Sequence, residues 1–242
     1  MRLGGRSRNG IHSLAIHAAT ILVLSAVIAY PVATAFNRAA AIALGIFFIA
    51  QTGLLVRRSK TALAIFSLCA ISPVAFLLAP GRPLDSRQLA ERYRVELLRY
   101  QGTRYVWGGE NRLGIDCSGL VRIALVNAML RQGIATANPA LVRSGLSLWW
   151  HDKSALSLRD GGDGTTIPIT SADSINAIDC SEIHLGDLAV TASGVHVMAY
   201  AGDHLWVEAD PNRHRVIAAV APVPNNSWFA TKVRVMRWIV LR

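Results

Sequence analysis

The sequence predicts an α+β chain: about three membrane-crossing helices, then helices packed on an antiparallel sheet. Three observations carry that prediction. Three long uncharged apolar runs fill the first third of the chain. Segments with helix-spaced apolar residues follow, between positions 86 and 133. From Gly186 onward, short β-branched and aromatic runs alternate with turn signals. Helices first and then a run of strands is an α+β order.

The apolar runs come first. Ser13–Phe36, Ala39–Val56 and Thr61–Ala79 contain no Lys, Arg, Asp or Glu. At 1.5 Å per residue each can cross a hydrocarbon core of about 30 Å. The composition agrees, with 52% hydrophobic and only 17% charged residues in 242. Basic residues flank the runs at Arg2, Arg6 and Arg8 and again at Arg57, Arg58 and Lys60. The positive-inside rule then places the N-terminus and the 57–60 loop in the cytoplasm and residues 81–242 outside. Arg82, Arg87, Arg92 and Arg94 follow the third run, but long domains translocate largely regardless of such charges. Ala33-Thr34-Ala35 has the small-residue form of a signal-peptidase site, and cleavage there would leave the outside placement unchanged. His17, Gln51, Pro31 and Pro73 within the runs read as tolerated residues or contacts between helices.

Pro80-Gly81-Arg82-Pro83 marks the expected domain boundary, with an anchor over 1–80 and a second domain over 81–242. All 15 acidic residues lie after position 80 against 18 of the 25 basic ones. That mildly basic balance suits an anionic envelope and is too weak to indicate nucleic acid.

Ser86 is placed to cap a helix running to about Tyr100, with Leu89, Tyr93, Leu97 and Tyr100 on one face. Tyr105-Val106-Trp107-Gly108-Gly109 reads as a short extended piece, with Trp107 expected in the core. After Cys117, Leu120, Ile123, Ala124, Val126 and Leu130 give a helix expected to stop at Gly133. Residues 133–185 show no sustained period, and Trp149-Trp150 there read as local packing. Asp160-Gly161-Gly162-Asp163-Gly164 lacks calcium-loop spacing and reads as a turn. Strands are expected at Asp187–Thr191, Val195–Ala201, Leu205–Ala209, Val216–Val220 and Lys232–Val240.

Cys117 sits where a loop enters a helix, and the unpaired N–H groups and dipole there favour a thiolate. Cys69 lies in an apolar run as a small hydrophobe. A Cys117–Cys180 disulfide would silence the nucleophile and is set aside. No Cys/His spacing resembles a zinc site. A cysteine nucleophile needs a base, and the base an orienting group. Of seven histidines, His196 alone lies in a strong strand pattern, Gly194–Tyr200. Its residues alone leave open a structural imidazole or a catalytic base.

Tyr105-x-Trp107-Gly108-Gly109 followed by Gly114-Ile115-Asp116-Cys117-Ser118-Gly119-Leu120-Val121 resembles the nucleophile motif of the NlpC/p60 family, papain-like cysteine peptidases of bacterial cell walls. Leu185-Gly186-Asp187-Leu188 and Gly194-Val195-His196-Val197 resemble its base-bearing region. The resemblance covers about residues 86–210. It implies Cys117 as nucleophile and His196 as base. The third polar residue of the family, about twelve positions after the base, falls on Glu208, where His, Asn or Gln is commoner. A carboxylate there can accept Nδ1–H of the imidazole. Asp210, on the same strand face, is the competitor. Tyr105, Asp116 and Ser118 match positions that in relatives contact the amino end of a wall peptide, although a carboxylate at Asp116 also suits a helix start.

The resemblance further implies a multi-pass cell-membrane enzyme with its catalytic domain periplasmic or extracellular. It would cleave amide or isopeptide bonds in peptidoglycan stem peptides, the γ-D-glutamyl–diamino acid bond first, with no metal or organic cofactor. Its expected partners are stem peptides and the lipid bilayer, not nucleic acid. A thiol amidase or acyltransferase acting on another amide or lipid-linked substrate is an alternative. An inactive wall-binding module is another, against which the intact Cys/His pair counts.

Overall fold

The computed structural model describes residues 5–242, with side chains from His12 onward. Arg2 and the side chains of Arg6 and Arg8 lie outside this description. Three helices open the chain: α1 (Gly5–Ala29), α2 (Ala35–Val56) and α3 (Lys60–Leu78). All three are long and apolar enough to cross a membrane. His17 in α1 reaches Thr52 in α2 at 3.4 Å, an interhelical contact.

The first helix ends at Ala29, seven residues before the expected limit at Phe36. Pro31 cannot donate an N–H to a continuing helix, and the Thr34 side chain caps α2 at Asn37 N–H. Residues 30–34 therefore form a turn that the uninterrupted apolar composition conceals.

In the second part, α4 (Ser86–Leu98) is capped by Asp85 rather than Ser86, through Gln88 N–H at 2.8 Å. A two-residue hairpin, β1 (Glu110–Asn111) and β2 (Gly114–Ile115), leads into α5 (Cys117–Ala135). That helix passes through Gly133 instead of stopping there. A Cβ at Gly133 would lie 2.6 Å from the Val142 side chain, so glycine lets the next helix, α6 (Pro139–Trp150), approach closely. Then come α7 (Ala155–Arg159) and six strands: β3 (Thr166–Ala172), β4 (Leu188–Thr191), β5 (Val197–Tyr200), β6 (Leu205–Asp210), β7 (Arg215–Val220) and β8 (Val233–Trp238). Their spatial order is β3-β8-β4-β5-β6-β7, every pair antiparallel.

The core lies between this sheet and α4 and α5. Leu89, Tyr93, Leu97, Leu120, Leu125, Leu188, Val197 and Val207 are fully buried in it. Each such aliphatic side chain contributes about 1.5–3 kcal/mol relative to exposure. Consequently α5 packs against β5, which His196 immediately precedes, and β6, which carries Glu208.

Candidate active site

Cys117 is the first residue of α5, and Asp116 is its N-cap. Asp116 Oδ1 accepts the Gly119 N–H at 2.6 Å and the Ser118 hydroxyl at 3.1 Å. Its other oxygen, Oδ2, accepts the Gly108 N–H at 2.8 Å. Burial raises the carboxyl pKa, and these hydrogen bonds pull it back. Both oxygens of Asp116 are thus engaged in shaping the loop that leads into Cys117, as is the Ser118 hydroxyl. Tyr105, half-buried, holds its phenol near both Cys117 and Asp116. Burial raises that phenol's pKa first, and negative charge on the two neighbours adds to the rise.

His196 stands at the start of β5. Its N–H donates to the Thr191 hydroxyl at 3.1 Å, and its carbonyl accepts the Thr191 N–H at 3.0 Å. The ring is 1% exposed. Glu208, on β6 and fully buried, places Oε2 2.6 Å from His196 Nε2. The imidazole therefore meets its carboxylate through Nε2, not through the Nδ1–H expected from the sequence. That leaves Nδ1 for Cys117. Burial alone would lower the His196 pKa, but hydrogen bonds with Cys117 and Glu208 more than offset it and carry it up to about 9. Asp210 does not reach the ring: its Oδ1 accepts the Asn212 N–H at 2.8 Å, and its Oδ2 lies 3.5 Å from Arg213 Nε.

Two contributors lie on the loop between β7 and β8, beyond the reach of any local pattern. Asn226, 4% exposed, donates its amide to Glu208 Oε1 at 2.6 Å. Asn226 Oδ1 in turn accepts the Trp228 N–H at 3.0 Å. The Trp228 ring stacks on His196, centroids 4.3 Å apart and planes 25° from parallel. Pro224-Asn225-Asn226 was legible only as a turn. Trp107, expected in the core, is 80% exposed.

All three cysteines are free, so Cys117 and Cys180 are not joined. Among the described residues no group of three or more His, Cys, Asp or Glu side chains converges on a metal position.

Chemically, the arrangement is a thiol at a helix N-terminus, an imidazole beside it, and a buried carboxylate holding the far ring nitrogen. The Cys117 N–H, at the first helical position, has no intrahelical acceptor and is available to a developing oxyanion.

The sequence profile of the NlpC/P60 family matches residues 102–237. Solved structures found to be similar include NlpC2 from Trichomonas vaginalis, at 20% identity and TM-score 0.39 over 64% of this chain and 48% of that one. This chain thus spans about half the length of that protein. The NlpC/p60 domain of the peptidoglycan hydrolase SagA is 23% identical, with TM-score 0.36 over 60% of this chain and 97% of that one. The peptidoglycan hydrolase RipB from Mycobacterium tuberculosis is 21% identical, with TM-score 0.39 over 63% and 66%. No curated protein matches the chain.

Proposed function

Because the chain belongs to the NlpC/P60 family, we propose that it is a membrane-anchored cysteine peptidase acting on peptidoglycan stem peptides. The bond cleaved is that between D-glutamate, through its γ-carboxyl, and the following diamino acid. The observation that carries the reading is the contact of His196 with buried Glu208 on one side and Cys117 on the other.

The steps follow from those positions. Cys117 Sγ attacks the amide carbonyl carbon while its proton rests on His196 Nδ1. The oxyanion forms beside the Cys117 N–H. His196 gives the proton to the leaving amine, the C–N bond breaks, and a thioester on Cys117 remains. Water then enters, His196 takes its proton, and the thioester is hydrolysed. Glu208 fixes the ring and balances the imidazolium charge. Tyr105 is the family-matched position best placed to meet the substrate, since Asp116 and Ser118 are occupied with each other.

Residues 1–80 serve as the anchor and 81–242 as the catalytic domain. The N-terminus and the 57–60 turn face the cytoplasm, and the catalytic domain faces the periplasm or outer surface. Hydrogen bonds from residues 108–111 to the turn after α1 support this, since that turn lies on the same side of the bilayer as the domain.

The full chain in lipid nanodiscs, given synthetic Ala-γ-D-Glu-diamino acid peptide, is expected to release the diamino acid, as read by mass spectrometry. An intact peptide after prolonged incubation would contradict the proposal.

A further inference from the structure

Two features are unused by the chemistry above: how the anchor grips the nucleophile loop, and what that loop exposes. Val32 in the turn between α1 and α2 bridges Gly109 in antiparallel fashion. Ala33 N–H donates to Gly108 O at 3.2 Å, and Glu110 N–H to Pro31 O at 2.9 Å. The Asn111 amide donates to the Tyr30 and Ala29 carbonyls at 3.0 and 3.2 Å, closing the end of α1. Gly108 sits at φ +70°, and a Cβ there would press on Val32 at 3.3 Å. From another side, Arg143 of α6 donates to the Ala79 carbonyl at 2.9 Å, at the end of α3.

These contacts set the height of the site. The ends of α1 and α3 and the start of α2 are on one side of the bilayer in the topology proposed above, and the nucleophile loop is bonded to that level. Ala33 holds Gly108, Gly108 holds Asp116, and Asp116 precedes Cys117. With hydrogen bonds of about 3 Å and about 3.8 Å per residue, the thiol lies roughly 10–15 Å from the helix ends.

The same loop presents Arg104, Trp107, Arg112 and Leu113 to solvent, Trp107 at 80% and Leu113 at 63% exposure. Tyr30 at the end of α1 is also exposed. Lone exposed apolar residues need no explanation on an ordinary surface. In the topology proposed above they would lie at the depth where aromatic residues gather in membrane proteins, with Arg104 and Arg112 on the same loop suited to lipid phosphates.

We propose that residues 104–113 lie in the bilayer interface, and that the active site takes its amide from a membrane-tethered molecule, a lipid-linked peptide, in preference to a free one. The proposal rests on the cysteine-hydrolase reading for its substrate half. Its advantage is local concentration: a substrate confined to the bilayer surface meets a site held at the same height.

Two measurements test it, both on the full chain in nanodiscs containing anionic lipid. The first does not depend on activity. Leu113→Cys in a Cys69→Ser, Cys117→Ala, Cys180→Ser background is labelled with an environment-sensitive fluorophore. A blue-shifted emission, quenched by lipids carrying a shallow nitroxide, is expected; an aqueous, unquenched spectrum would overturn the interfacial loop. The second compares one stem peptide free and palmitoylated on the side-chain amine of its diamino acid, with its amino end left free, at equal concentration. The lipidated peptide is expected to turn over about tenfold faster or more. Equal wild-type rates would overturn the substrate preference with the hydrolase reading intact. Cleavage of neither peptide would overturn the hydrolase reading and the substrate half together, with the fluorophore still deciding where the loop lies.

Discussion

Replacing Glu208 by Gln lowers kcat/KM about 10³–10⁴-fold, the scale on which an orienting carboxylate matters in a nucleophile–histidine system. Both carboxylate oxygens are committed, Oε2 to His196 and Oε1 to the Asn226 amide. A glutamine has one acceptor and one donor. Its NH₂ must face either the imidazole N–H or the Asn226 NH₂, and Asn226 cannot turn without giving up the Trp228 N–H. The residue change therefore disturbs a fully connected buried network rather than removing a single charge. The pH dependence carries a second sign. Burial works to lower the His196 pKa, and the hydrogen bonds with Cys117 and Glu208 raise it to about 9. Removing the Glu208 charge removes part of the upward pull. The alkaline limb of the kcat/KM profile, where the imidazolium loses the proton needed by the leaving amine, is expected near pH 9. In Glu208→Gln it moves to lower pH. An unchanged rate with an unchanged limb would deny Glu208 the orienting role.

Glu110→Ala is expected to cost about 3–5 kcal/mol of stability, the range for removing one partner of a buried ion pair. Glu110 Oε1 accepts from Arg38 of α2 at 2.6 Å and also pairs with Arg122 of α5. Arg122 is fully buried and Arg38 is 4% exposed. Burial lowers the Arg122 pKa to about 10, against an upward pull from Asp152. Without Glu110 the two guanidinium groups face each other with backbone carbonyls of Leu148, Trp149 and Trp150 and the exposed Asp152 as remaining acceptors. Thermal unfolding of the full chain in nanodiscs reads the effect, and a loss below about 1 kcal/mol would show the cluster to be solvated in practice. The same cluster ties α2 and α5 to the loop before Cys117, so Cys117 alkylation is expected to change with it.

The loop before Cys117 and the strands after Gly186 were legible because their signals are local. Glycines, a capping Asp and alternating β-branched residues act within a few positions. Five expected strands correspond to β4–β8 with small shifts at the ends. Residues 133–185 were opaque for physical reasons. In β3, Pro168 and a register shift between Pro168 and Thr170 break the strand pattern at the sheet edge. For α6 the signal was present but weak: Asn138 caps it and Pro139 opens it, followed by Leu141, Val142, Gly145 and Leu148 on the buried face. Asn226 and Trp228 were not legible, because they reach the Glu208–His196 pair from 18 and 32 positions away and only the folded sheet brings them there. The turn at 30–34 was hidden inside an apolar stretch, with Pro31 its one sequence mark.

The central claim is that Cys117, served by His196 and Glu208, carries the acyl group of a stem peptide. It is tested most directly by the intact mass of the full chain, acid-quenched during turnover of Ala-γ-D-Glu-diamino acid. The expected result is a mass increase equal to the Ala-γ-D-Glu acyl fragment, mapped to the peptide that contains Cys117 and absent in Cys117→Ala. Peptide cleavage that continues undiminished in Cys117→Ala, with no adduct on the wild-type chain, would contradict it.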